Sequence, residues 1–156
     1  MPTLDVAACE RLLQTARVSA GGLDEGAALT ADAVKTILSG AEAEARHNNW
    51  AVSIAVVDPN GDLMGFLKLD GATPSSVQVA QGKARTAAHY AQTDMGAGRR
   101  LVNHSFNYLP VDGTYALQGG VPIRSGERVV GAIASSGATS AQDEQIAMAG
   151  LAALSA

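Results

Sequence analysis

The sequence has little of what several classes of site require. Cys9 is the single cysteine in 156 residues, so no disulfide forms within the chain, and we interpret it as a half-buried thiol on a helix. Neither C-x-x-C nor H-E-x-x-H occurs, and the three histidines show no metal-ligand spacing. These absences exclude an internal disulfide scaffold, and the sequence predicts no metal site.

Positive charge, aromatic residues and long apolar runs are also scarce. Lys and Arg total 11 against 15 Asp and Glu, which argues against nucleic acid or an anionic membrane as partner. No run approaches the roughly 18 apolar residues of a membrane span, and the N-terminus MPTLDVAACERLL does not resemble a signal peptide. We therefore expect a cytoplasmic protein. An aromatic content of 4% disfavours a large flat macrocycle as ligand.

The chain length suits one domain. Much of the sequence shows helical periodicity. Apolar residues recur at helical spacing at about residues 5–17, 30–47 and 75–92, and again from residue 139 or 140 onward. Thr30 is the predicted N-cap of the second helix, and Ser75 and Gln78 are the predicted capping box of the third. Residues 93–113 mix Gly, Asn, Asp and Pro, which predicts a long ordered loop of a kind that is often functional.

Two hairpins separate these helices. The turn sequence Asp58-Pro59-Asn60-Gly61 joins the first pair of strands, and Ser125-Gly126 joins strands at about residues 115–124 and 128–135. The predicted fold is an α+β sandwich, with an antiparallel sheet of four or five strands and helices on one face. Because the first strands are apolar on both faces, we expect a second subunit on the other face, and hence a homo-oligomer.

The motifs AVVDPNG, DGATPSS, QGKARTA, GGVPIRSGERVVGAI and QDEQIAMAG, in this order, resemble the GlcG/HbpS family, also described as a haem-degrading domain. The resemblance covers roughly residues 29–154 and implies a profilin-like fold that commonly forms homo-oligomers. The family that the sequence resembles includes haem-binding sensors and a domain attached to corrinoid adenosyltransferases. Residues 1–28 precede the family pattern and residues 93–113 match no family motif, so we divide the chain into a helical extension, 1–28, and a domain, 29–156.

The stretch QGGVPI, residues 118–123, is unusual for a strand, because glycine packs nothing and Pro122 cannot donate to a ladder. Gly119 and Gly120 allow a ligand to approach the backbone, and their amides are candidates to hold an anion. The alternative is a β-bulge or close packing of a helix. Both interpretations remain open from the sequence.

Several side chains are candidates for the same site. Lys83 lies at the edge of the buried stripe of its helix. Its candidate roles are a cation that binds a carboxylate and an acid/base group, and the alternative is a lysine whose ammonium extends to water. Tyr90 lies on the same flank of that helix. Arg124 follows the glycine strand as an anion clamp or a charge at the hairpin end. Asp143 and Glu144 suit a helix N-terminus, with general acid/base catalysis as the alternative.

His104, in the loop at residues 93–113, is the first candidate for an axial haem ligand or a proton carrier, and a surface histidine is the alternative. His47 and His89 are both expected to be exposed. Two hypotheses follow. The first is a domain that binds haem, a corrinoid or a small anionic metabolite. The second is a cofactor-independent isomerase, lyase or cyclase for a small carboxylate or phosphate, with Lys83, Glu144 and His104 as catalytic groups.

Overall fold

The computed structural model describes Gly26, residues 28–93, Leu117 and residues 119–156. The predicted first helix, almost all of the predicted extension and nearly all of the loop at residues 93–113 lie outside the described residues, and so do Cys9 and His104.

Three α-helices and a four-stranded sheet make up the described residues. In chain order they are α1 (Ala31–His47), β1 (Ser53–Val57), β2 (Leu63–Lys68), α2 (Pro74–Thr93), β3 (Gly120–Ser125), β4 (Arg128–Ser136) and α3 (Ser140–Ala152), followed by a 3-10 helix at Ala153–Ser155. The strand order is β2-β1-β4-β3 and every neighbouring pair is antiparallel. The predicted α+β fold, with an antiparallel sheet built from two hairpins, is confirmed.

The helices begin where side chains can satisfy their first N–H groups. The Thr30 hydroxyl accepts from the Ala33 amide at 3.2 Å, as predicted. At α3, Thr139 and Gln142 form a reciprocal capping box. The capping box predicted at Ser75 is wrong, because α2 already begins at Pro74, and proline suits the first position of a helix.

Helices of this chain cover both faces of the sheet. Ile54, Val56 and Ile133 belong to the core that the sheet shares with α1 and α3. The opposite face presents Ala55, Val57, Ala132 and Ala134, which pack against the alanine stripe Ala80, Ala84 and Ala88 of α2. The prediction of helices on one face only is therefore wrong. The small alanines let α2 lie close to the sheet, so α2 covers the face that we expected a subunit to cover.

The turn between β1 and β2 is fixed by side chains of α2. His89 Nε2 lies 2.7 Å from the Asn60 carbonyl oxygen, and Arg85 Nε donates to the Gly61 carbonyl at 3.2 Å. His89 is therefore half-buried, in contrast to the expected exposed position, whereas His47 is exposed at the end of α1, as expected. No helix in the described part of the chain has the length and apolar character needed to cross a membrane.

Candidate functional site

A buried ion pair joins the two helices that lie on opposite faces of the sheet. Lys83 of α2 donates from Nζ to Asp143 Oδ2 of α3 at 2.9 Å, and the two side chains are only 3% and 4% exposed. The ammonium of Lys83 therefore does not extend to water. Removing two charges from water is costly unless they are paired and hydrogen-bonded, so this pair is the main polar feature of the described interior.

The Asp143 carboxylate is well supplied with donors. Its Oδ1 atom accepts from the Ser135 hydroxyl and from the Ala138 amide, each at 3.2 Å, while Oδ2 accepts from Lys83. Asp143 also lies in the first turn of α3, where the helix dipole favours negative charge. Asp143 therefore has the predicted role at the helix N-terminus and also pairs with Lys83.

Gly119 makes room for the ammonium. Its φ angle is +120°, and a Cβ atom built on it would lie 2.7 Å from Lys83 Nζ and 3.0 Å from Asp143 Cβ. Real Cβ atoms essentially never show contacts below 3.0 Å, and L-residues with side chains rarely adopt such a φ angle. A side chain at position 119 would therefore force Lys83 away from Asp143.

Gly120 has a different role, which is to let α2 approach β3. A Cβ atom at this position would lie 2.5 Å from the Lys83 carbonyl oxygen and 3.1 Å from Ala87 Cβ. The bulge of this hairpin lies further along, between Ile123 and Arg124. Of the alternatives left open by the sequence, close packing of a helix therefore applies at Gly120, and a β-bulge does not.

The structure places the other predicted site residues at different distances from this pair. Glu144 is next to Asp143 and half-buried. Tyr90 is seven residues beyond Lys83 in α2, about 10 Å along the helix axis. Arg124 lies at the far end of β3, about 13 Å along the strand from Gly120, and donates from Nη1 to the Glu127 carbonyl at 3.1 Å. Arg124 thus occupies the position of a hairpin-end charge.

Ser135 is the site residue that the sequence analysis missed. It lies on β4, is fully buried, and donates to the side chain and the main-chain carbonyl of Asp143. Two serines, Ser135 and Ser136, at the end of the otherwise apolar run VVGAIASS were the available signal. The pairing of Lys83 with Asp143 was also missed, because the residues are separated by 60 positions and lie on helices that cover opposite faces.

The described residues form no metal cluster, and neither described histidine suits an axial haem ligand. No cluster of three or more His, Cys, Asp or Glu residues is placed to hold an ion in the described part of the chain. The two described histidines are also unsuited, because His47 is exposed at a helix end and the ring of His89 is occupied by the Asn60 carbonyl. His104, the predicted axial ligand, lies outside the described residues.

The protein resembles proteins of known sequence and structure. It is 35% identical to Protein GlcG of Escherichia coli strain K12 over 105 residues, which are 67% of this chain and 78% of GlcG. A double mutant of HbpS from Streptomyces reticuli has 33% identity and a TM-score of 0.70, covering 85% of this chain and 90% of HbpS. The PduOC structure in complex with haem is 21% identical, with a TM-score of 0.71 over 81% of this chain and 95% of PduOC, and so shares the fold.

The family model described as haem degrading protein HbpS-like matches residues 29–152. This range includes all three α-helices and all four strands described above. The order of motifs that suggested the resemblance is thus supported over nearly the whole domain, and the chain belongs to the HbpS-like family.

Proposed function

We propose that this domain binds a small ligand and that Lys83, Asp143 and the backbone at Gly119 and Gly120 form part of its site. The observation that carries the proposal is the buried Lys83–Asp143 pair. Apolar residues of similar size often replace a buried ion pair without loss of stability. The fold alone therefore does not require two charges at this place, and recognition of a polar ligand is a reason to keep them.

Haem is the first ligand to test, because the family description names haem and PduOC was solved as a haem complex. A corrinoid and a small anionic metabolite are the other candidates. Neither described histidine is suited to ligate haem iron, so we assign the axial role to His104, the remaining histidine. Tyr90 and Arg124 are then peripheral, because both lie away from the ion pair.

A haemin titration of the full chain tests this proposal. We expect a saturable shift of the Soret band, its loss in His104→Ala, and its retention in His47→Ala, which removes an exposed histidine at a helix end. The absence of any Soret shift in the unmodified chain would contradict haem binding. A shift that His104→Ala leaves unchanged would support haem binding and contradict the axial assignment.

The second candidate function is acid/base catalysis without a cofactor, as an isomerase, lyase or cyclase acting on a small carboxylate or phosphate. The observation in its favour is a proton donor and a proton acceptor 2.9 Å apart, Lys83 Nζ and Asp143 Oδ2. In this mechanism the Gly119 and Gly120 amides hold an oxyanion, and Glu144 or His104 is the second acid/base group.

Deuterium incorporation from D2O into a panel of small carboxylates and phosphates, followed by proton NMR, tests catalysis without a known substrate. We expect exchange in at least one compound, and loss of that exchange in Lys83→Met but not in Lys35→Met, which alters an exposed lysine. Exchange that survives in Lys83→Met would contradict this mechanism.

The predicted homo-oligomer has a different candidate surface from the one that the sequence suggested. Leu63 and Met64, which are 47% and 39% exposed, lie at the start of the edge strand β2. Light scattering of the unmodified chain and of Leu63→Ser tests the assembly, and we expect the substitution to lower the measured mass. A monomer mass for the unmodified chain would contradict it.

A further inference from the structure

The hydrogen-bonding capacity of the ion pair is not balanced. An ammonium has three N–H donors. Among the described residues, Asp143 is the one partner of Lys83 Nζ, although the Lys83 side chain is 3% exposed. The carboxylate, by contrast, already accepts from three groups. The Lys83 ammonium therefore has N–H donors available for a further partner, whereas the Asp143 carboxylate has little capacity to accept another hydrogen bond.

The charges of the cluster limit what those donors can bind. Asp143 already neutralises Lys83. A phosphate dianion would therefore bring two uncompensated negative charges, against one for a monocarboxylate and none for a carbonyl group, and the cost of burying such charge is largest for phosphate. A carbonyl oxygen or one oxygen of a monocarboxylate requires only the donors that Lys83 has available.

We infer that Lys83 binds one carbonyl or monocarboxylate oxygen of the ligand and that the site discriminates against phosphate. This inference rests on the proposed ligand-binding function and names the chemical group that binds. Asp143 is a positioning residue, because it holds the ammonium at Gly119 and does not itself meet the ligand. The inference separates the carboxylate candidates from the phosphates, which the sequence alone treated as equivalent.

Nitrogen-15 NMR of lysine side chains tests the inference directly, because the chain has only three lysines. Burial slows exchange of ammonium protons with water, so the Lys83 signal is expected to differ from those of Lys35 and Lys68, which are exposed. The full chain is titrated with sodium acetate, with sodium phosphate and with sodium chloride at matched ionic strength. Lys35 and Lys68 serve as internal controls in the same spectra.

We expect a saturable shift of the Lys83 signal with acetate alone. We expect this shift to disappear in Gly119→Ala, which displaces the ammonium, and to persist in Gly71→Ala, where the nearest atom to an added Cβ is 3.5 Å away. A Lys83 signal that acetate does not move, or that chloride or phosphate moves equally, would overturn the inference.

The haemin titration separates this inference from the proposed function. Haemin binding that leaves the Lys83 signal unchanged would keep the proposed function and overturn the role of Lys83. Acetate binding at Lys83 without any Soret shift would keep the inference and exclude haem as the ligand. Neither result would overturn both.

Discussion

The substitution Gly119→Ala tests the reasoning about the ion pair most directly. An added Cβ atom would lie 2.7 Å from Lys83 Nζ and 3.0 Å from both Lys83 Cε and Asp143 Cβ, at a residue whose φ angle is +120°. Two costs follow. An L-residue in the left-handed region costs about 1–2 kcal/mol. Displacing a buried ammonium from its carboxylate costs up to about 3–5 kcal/mol, the value for breaking a buried pair.

Because Lys83 is flexible, part of the displacement can be absorbed by rotation of its side chain. We therefore expect Gly119→Ala to lower the free energy of unfolding by about 2–5 kcal/mol, a large share of the roughly 5–15 kcal/mol typical of a domain. Urea unfolding measures this change. The fluorescence of Trp50, the single tryptophan, reports the transition, because Trp50 packs against the core.

Gly71→Ala is the matched control. Gly71 also has a positive φ angle, +84°, but a Cβ atom there would meet only Ala51 Cβ, at 3.5 Å. This substitution should cost only the backbone strain of about 1–2 kcal/mol. Equal losses of stability in Gly119→Ala and Gly71→Ala would refute the claim that Gly119 is required by the ion pair.

Four further substitutions follow from described contacts. Lys83→Met and Asp143→Leu should each lower the free energy of unfolding in urea by about 3–5 kcal/mol, because each single variant leaves a buried charge unpaired. The double variant should lose less than the sum of the two single losses. Additive losses would contradict the pairing. His89→Ala should cost about 1 kcal/mol and speed amide exchange in the turn at Asn60, whose carbonyl loses its partner; unchanged exchange would contradict that contact. Thr139→Ala should cost about 1 kcal/mol in thermal unfolding, and an unchanged midpoint would argue against the capping box.

The elements of the fold could be predicted because their signals are local. Helical periodicity and a capping threonine identified α1 and α3, and the turn sequence Asp58-Pro59-Asn60-Gly61 identified the first hairpin. The start of α2 was placed two residues late, because the serine-glutamine pattern was given more weight than Pro74. Which face of the sheet α2 covers is not a local property, since it depends on how closely an alanine stripe can approach the strands.

The candidate site was predictable only in part, because contacts between residues far apart in the sequence leave no local signal. Lys83 at the edge of a buried stripe and two glycines before a strand are visible in the sequence, and the structure brings them together. The partner of the ammonium is not visible, because Asp143 also fits the ordinary role of an acid at a helix N-terminus. The contact between Lys83 and Asp143 could not be predicted because the two residues are far apart in the sequence. No sequence pattern linked Ser135 to Lys83 or to Asp143.

The two adjacent glycines are needed for separate physical reasons. Gly120 faces the backbone of α2, so its requirement follows from the distance between a helix and an edge strand and holds whatever residue occupies position 83. Gly119 faces the end of the Lys83 side chain, so the ammonium adds a steric requirement for glycine to the one that its φ angle of +120° already imposes. A domain that needed only the fold could keep both glycines and replace Lys83 and Asp143 together with apolar residues. The presence of both charged residues therefore favours a role for the pair in binding, in addition to any role in stability.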